Sequence, residues 1–182
     1  MRRGEEPRRV LTIMAIELPK LSIVDKVTAA LRGKSHAVAL TGAWGSSKRL
    51  VAAQAAEALA APMLIVTAGR HESEAAFDDL ATLFGEEACA LFPAWEVLPT
   101  DSMSPADDIV AERMNTLKRM MTAFESDQPM YVVCPIRSVM QYVIEPKQLQ
   151  KDTLTLRSGM EVDLGDFLEK LVKMGLKLNI PL

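Results

Sequence analysis

The chain has 182 residues, 49% of them hydrophobic and 25% charged, and a net charge of −3 at pH 7. That length holds one complete domain with room for a piece of a second, and that apolar share can bury a substantial core. No apolar stretch approaches the roughly 20 residues that a bilayer span needs, and the slightly acidic balance excludes a strongly basic nucleic-acid field, leaving DNA at most a weak, salt-sensitive contact.

Residues 1–20 read as an N-terminal extension of a cytoplasmic protein. Met1 to Arg9 is basic and polar, and no signal-type apolar core with a cleavage site follows before Pro19. Ser22 with Asp25 three residues on resembles a capping box, and Leu21, Val24, Thr28 and Leu31 recur at helical spacing up to Gly33, which predicts a first helix. His36 to Thr41 alternates and predicts a strand. Gly42 to Ser47 is turn-forming, and Lys48 to Ala61 predicts an alanine-rich helix with Leu50, Val51, Ala55, Ala58 and Leu59 inward.

Pro62 ends that helix. Met63 to Thr67 is a short apolar run, the pattern of a parallel strand covered on both faces. Ser73 to Phe84 predicts a helix with Ala76, Phe77, Leu80 and Phe84 inward and Gly85 as its stop, followed by a strand over Cys89 to Phe92. Pro93 to Pro105 carries too many prolines for regular helix and predicts an ordered crossing, with Trp95 and Leu98 plugging the sheet and Glu96 and Asp101 capping backbone groups.

From Ala106 to Phe124, Val110, Met114, Leu117, Met121 and Phe124 predict the buried stripe of an amphipathic helix, with Asp107 and Asp108 early and Lys118 and Arg119 late. Arg113 on that helix is read as an ion-pair partner of nearby acids rather than a phosphate ligand. Met130 to Cys134 predicts a buried strand ending at Pro135, and Ile136 to Val143 a short helix. Beyond Pro146, Thr153 to Leu156 alternates like a strand, and Asp163 to Met174 predicts an amphipathic helix on Leu164, Phe167, Leu168 and Leu171. The expected fold is α/β: a P-loop-NTPase-like parallel sheet flanked by helices, followed by the start of a second α+β subdomain.

Cys89 and Cys134 lie far apart in apolar runs, without the spacing of a zinc or redox motif, and are read as buried reduced thiols. His36 and His71 are isolated, so no metal site is expected. The methionines are read as core gap-fillers.

The candidate site is Gly42-Ala43-Trp44-Gly45-Ser46-Ser47-Lys48-Arg49. A working phosphate loop wraps phosphates with backbone N–H groups on glycines, adds a lysine, and follows it with a Ser or Thr hydroxyl on magnesium. Gly42, Gly45 and Lys48 fit that scheme, with Ser46 and Ser47 completing the candidate cradle. Ser47, however, stands where the last glycine belongs, and Arg49 stands where the hydroxyl belongs; a guanidinium cannot be a neutral oxygen ligand. Neither Leu64-Ile65-Val66 nor Tyr131-Val132-Val133 ends in an acid that would organise the metal. No catalytic residue, metal or cofactor is therefore expected, the competing reading being a nucleotide-binding P-loop NTPase domain. Trp44 either fills the vacant cradle or stacks on something else.

Leu40-Thr41-Gly42 through Lys48, then Phe92-Pro93-Ala94-Trp95-Glu96-Val97-Leu98-Pro99-Thr100-Asp101, Ser104-Pro105, Glu112-Arg113 and Leu117 come in an order that resembles the N-terminal region of the bacterial transcription-repair coupling factor. The likeness runs from about Leu21 to Gly175. It implies a module similar to the excision-repair subunit UvrB, with a degenerate copy of UvrB's Walker A loop. It further implies a first α/β subdomain over 21–143, and over 144–182 the incomplete opening of an inserted subdomain that recruits UvrA. The whole family is by the same token an ATP-dependent DNA translocase that displaces stalled RNA polymerase, through motor and polymerase-binding domains not in this sequence. After Gly175 the family usually continues with an aromatic residue, a strand and an arginine- and glycine-containing hairpin, whereas here the residues are Leu176 to Leu182.

Overall fold

The computed structural model describes residues 18–33, 37–97, 103–126 and 129–174. The chain divides into two compact units, one through Gln141 and one from Tyr142.

In the first unit, helix α1 (Ser22–Arg32) buries Val24 and Thr28 and ends at Gly33, whose N–H reaches the carbonyls of Ala29 and Ala30. The expected capping box is absent: the N-cap is Leu21, with no side-chain cap. Gln54 takes over the tethering there, its amide oxygen accepting from Leu21 N at 3.2 Å and its amide nitrogen donating to Pro19 O at 3.0 Å. Gln54 lies on helix α2 (Ser47–Leu59), whose Val51 and Ala55 pack on Val24 in a small cluster of their own. Helix α2 stops at Ala60, in the left-handed region at φ 50, two residues ahead of Pro62.

Strand β1 (Met63–Thr67) leads into helix α3 (Arg70–Phe84), which Gly85 ends; a single 3-10 turn (Glu86–Ala88) then feeds strand β2 (Cys89–Leu91). Helix α4 (Asp107–Ser126) returns the chain to strand β3 (Tyr131–Pro135), followed by the short helix α5 (Ile136–Val139). All pairings are parallel and the order is β1-β3-β2, so β3, buried along its whole length, lies between the other two. This is the three-stranded, helix-flanked parallel sheet of an α/β unit.

The register assigns the faces. Met63, Tyr131 and Cys89 align, and with Ile65 and Val133 they face a core built from Ala53 and Ala56 of α2 and Ala76 and Leu80 of α3. Phe84 closes that core, 4.8 Å from the Tyr131 ring. Leu64, Val132 and Ala90 align on the opposite face, where Val132, Ala90, Phe92, Met130 and Cys134 meet Leu117 and Ala123 of α4. Coverage of that face fails over β1: Leu64 is 52% and Val66 44% exposed. The expectation of a strand buried on both faces is thus corrected, since β1 is an edge strand with cover on one side.

Three further expectations are corrected. Residues 37–41 are irregular rather than a strand, with Val38 and Leu40 more than a third exposed and no strand paired with them among the described residues; His36 lies outside those. The inner stripe of α4 is centred one position earlier than expected: Ile109, Arg113 and Thr116 are buried, Leu117 packs on the sheet as expected, Val110, Met114 and Met121 are half-buried, and Phe124 is 85% exposed. The cause is local bonding, because Thr116 donates to Leu91 O at 2.7 Å and Arg113 to Pro93 O, which rotates polar residues inward against the end of β2. The methionines are not chiefly core either: among the described ones Met130 is buried, while Met103, Met140 and Met160 are open to solvent.

The second unit holds helices α6 (Pro146–Lys151) and α7 (Leu164–Lys173). Asp163 caps α7, accepting from Asp166 N at 2.9 Å. Residues 153–156 form no strand, correcting the expected alternation there, and no residue of α7 is buried. Gly175 and the residues after it lie outside the described ones.

Candidate functional site

The glycine loop does form a turn into a helix. Gly42 (φ +76) and Gly45 (φ +55) take left-handed conformations that L side chains disfavour, and a Cβ at either position would meet open space, so the need for glycine is one of backbone angle, not of crowding. Ser46 is the N-cap of α2. Ser47 turns back on the loop, its N–H and its hydroxyl both donating to Trp44 O, at 3.2 and 2.6 Å. Position 47 therefore acts as a local staple. Trp44 is 86% exposed, which overturns the reading that it fills the cradle, and Lys48 is exposed as well.

Arg49 does not face the loop mouth. Its guanidinium pairs with the Asp79 carboxylate on α3, 30 residues away, and reaches Ala75 O at 3.4 Å. The Ser46 hydroxyl and the Arg49 guanidinium hold the Asp79 carboxyl below its usual range, against the opposing pull of burial. The residue standing where a magnesium-binding hydroxyl belongs is thus engaged in joining two helices. Asp79 carries no motif and escaped the sequence reading; its signal was only that an acid on α3 falls opposite a misplaced arginine.

Past the C-terminal end of β2, Arg113 is 1% exposed and packs on two rings, its guanidinium carbon 4.1 Å from the Phe92 centroid and 4.4 Å from that of Trp95. It donates to Pro93 O, and among the described residues it has no carboxylate partner, which corrects the expected ion pair. Gln141 fixes the same loop from the other side, its amide oxygen accepting from Trp95 N at 2.8 Å and its amide nitrogen donating to Trp95 O at 3.2 Å. Trp95 is held as expected for a packing role. Leu98 and Asp101 lie outside the described residues.

The two thiols are buried and free of disulfides. Burial pushes Cys89 up to about 11 despite Arg119, and raises Cys134 despite Arg113, so neither is activated as a thiolate. Among the described residues no group of His, Cys, Asp and Glu is placed to hold a metal ion, and no helix is long and apolar enough to cross a membrane.

No family model matches the chain. Individual relatives do: the transcription-repair-coupling factor of Mycobacterium tuberculosis is 33% identical over 132 residues, covering 71% of this chain. The protein of the same name from Haemophilus influenzae is 32% identical over 80 residues, 44% of the chain, and that of Staphylococcus aureus NCTC 8325 is 24% identical over 115 residues, 63% of the chain. The chain is a homologue of the transcription-repair-coupling factors. The matched stretch spans 10%, 6% and 10% of those three relatives, so the chain represents a small part of a coupling factor's length.

Within this coupling-factor homologue the Phe92-Pro93-Ala94-Trp95 stretch has a structural explanation. Phe92 and Trp95 are the two walls of the Arg113 slot, and Pro93 supplies the carbonyl that Arg113 bonds. The glycine loop and the aromatic stretch share no described contact; each is tied to its own helix, α3 for the loop and α4 for the aromatics.

Proposed function

We propose that this chain is the N-terminal, UvrB-like module of a transcription-repair coupling factor, serving as a scaffold and interaction module in transcription-coupled nucleotide-excision repair in the cytoplasm, without phosphoryl-transfer chemistry of its own. On this reading the first unit is a P-loop-NTPase-like α/β subdomain with a degenerate loop at Gly42, Gly45, Ser46, Ser47 and Lys48. The second is the start of the region that recruits UvrA. ATP-driven translocation on DNA and displacement of stalled RNA polymerase belong to the rest of the protein, and no cofactor is required here.

The observation that carries the reading is Arg49. A position that must offer magnesium a neutral oxygen offers a guanidinium, and that guanidinium is paired with Asp79. The relatives' name supports the repair context. The competing reading, a nucleotide-binding NTPase domain, draws on the left-handed Gly42 and Gly45 and the exposed Lys48.

Titration with a fluorescent ATP analogue, with and without magnesium, separates the two. The scaffold reading expects no saturable binding, and micromolar magnesium-dependent binding that Lys48→Ala abolishes establishes the NTPase reading instead. For the partner, a pull-down with UvrA compares this chain with one extended by the arginine- and glycine-containing hairpin of the family. Stronger capture by the extended chain is expected, and equal capture contradicts the assignment of 144–182 as an incomplete contact region.

A further inference from the structure

We infer that Asp79 is a built-in counter-ion of the glycine loop, tying it to α3 and engaging through Arg49 the cation that a phosphate group at the α2 N-terminus would otherwise meet. The inference rests on the reading of the loop as non-catalytic and adds a second cause to it. The loop has lost its magnesium ligand, and its cationic side is also occupied from within the fold.

The geometry supports this in three ways. First, the Arg49–Asp79 pair is withdrawn from water, with side chains 16% and 28% exposed. The other described ion pairs are more open: Lys20–Asp25 at 66% and 65%, Arg70–Glu74 at 74% and 43%, and Lys173–Glu169 at 72% and 64%. An ion pair shielded in this way is less screened by salt and harder for a dissolved anion to displace. Second, Arg49 is anchored twice on α3, by Asp79 and by the Ala75 carbonyl, so swinging toward the loop mouth breaks both contacts. Third, Arg49 lies in the first turn of α2, so its partner Asp79 is brought beside that turn, where the partial positive charge of a helix N-terminus is concentrated. A carboxylate there satisfies the same field that draws a phosphate.

Asp79 is thus a positioning residue for the loop, and its removal is expected to free the site toward anions. Replacing the carboxylate by an uncharged group leaves Arg49, Lys48 and the α2 N-terminus as one positive surface within a few residues.

The test uses the whole 182-residue chain labelled with fluorotryptophan and followed by fluorine NMR, in which Trp44 in the loop and Trp95 beside Arg113 report separately. Sodium tripolyphosphate is titrated into the wild type, Asp79→Asn, Asp79→Ser and the double variant Asp79→Asn with Arg49→Gln, each with its fold checked by circular dichroism. The expected result is a saturable Trp44 shift in both single variants at about tenfold or more lower tripolyphosphate than in the wild type, as one removed charge implies. Loss of that shift in the double variant, with Trp95 unmoved throughout, completes the expectation. If both folded single variants respond like the wild type, Asp79 is not the counter-ion, and the scaffold reading stands unaffected. If the wild type itself shows tight magnesium-ATP binding, the scaffold reading fails first and the inference falls with it.

Discussion

Arg113 and Trp95 meet past the end of β2, the guanidinium carbon 4.4 Å from the indole centroid and 4.1 Å from the Phe92 ring centroid. An arginine enclosed this fully, with burial depressing its pKa, needs its charge delocalised over a plane that aromatic rings can pack against while one edge donates to a carbonyl. Lysine offers a compact, strongly hydrated ammonium and cannot do both. Arg113→Lys is therefore expected to destabilise the first unit by about 2 kcal/mol or more, and Trp95→Ala by a similar amount. Urea unfolding of the two single variants and their double checks this, since a shared interaction makes the double variant clearly less destabilised than the sum of the singles.

Asp79 gives stability a pH dependence of known sign. Its folded carboxyl titrates below the usual range because of the Ser46 hydroxyl and the Arg49 guanidinium, so the folded state holds the proton less tightly than the unfolded chain. The resulting stabilisation is present in full above the unfolded carboxylate value of about 4 and is lost as pH falls through the lower folded value. Asp79→Asn lacks this term. The wild type and the variant are expected to differ at pH 7 and to converge in strongly acid solution, as measured by denaturant midpoints across the range; a gap that stays constant with pH contradicts the assignment.

The two faces of β1 make opposite demands. Ile65 packs on the core that contains Val133, whereas its neighbour Leu64 is 52% exposed on the face that α4 leaves open. Leu64→Lys is expected to change stability by less than about 0.5 kcal/mol, while Val133→Ala in the central strand costs about 2 kcal/mol. Thermal unfolding compares the two directly. A large penalty for Leu64→Lys means that the face is covered in solution.

That contrast also marks where sequence reasoning stopped. The run Met63 to Thr67 is apolar at every position but the last, and nothing in it distinguishes a strand roofed on both sides from an edge strand roofed on one; the distinction depends on which strands lie beside it. β3 was legible because its five residues are apolar and all are buried. α3 was legible from its spacing and its Gly85 stop, even though it begins three residues earlier than its pattern, and α7 from its spacing. On α4 the spacing was sound and Leu117 faces the sheet as read, but the centre of the buried face was missed by one position because Arg113 and Thr116 look like surface residues until their carbonyl partners in the β2 end and the following loop are known. The candidate loop was readable as a turn and as a damaged phosphate site. Its tie to Asp79 was not, since the two residues of that pair are 30 positions apart and Asp79 belongs to no motif.

Backbone angles around α2 give a reciprocal pair of variants. Gly45 ahead of the helix has φ +55 with open space where a Cβ would stand, so Gly45→Ala has no clash to relieve and its cost is that of the left-handed conformation alone, about 1 kcal/mol. Ala60 at the C-cap already bears that cost, at φ 50 and ψ 46, with its N–H bonded to Glu57 O at 3.0 Å. Glycine at this position keeps the cap and removes the strain. It also adds freedom to the unfolded chain, so Ala60→Gly is expected to gain somewhat less than Gly45→Ala loses, about 0.5 to 1 kcal/mol. Both shifts should emerge in chemical denaturation at neutral pH with unchanged slopes. A loss of stability in Ala60→Gly shows that the helix does not end in the left-handed conformation in solution, because only there does glycine outperform alanine at the end of a helix.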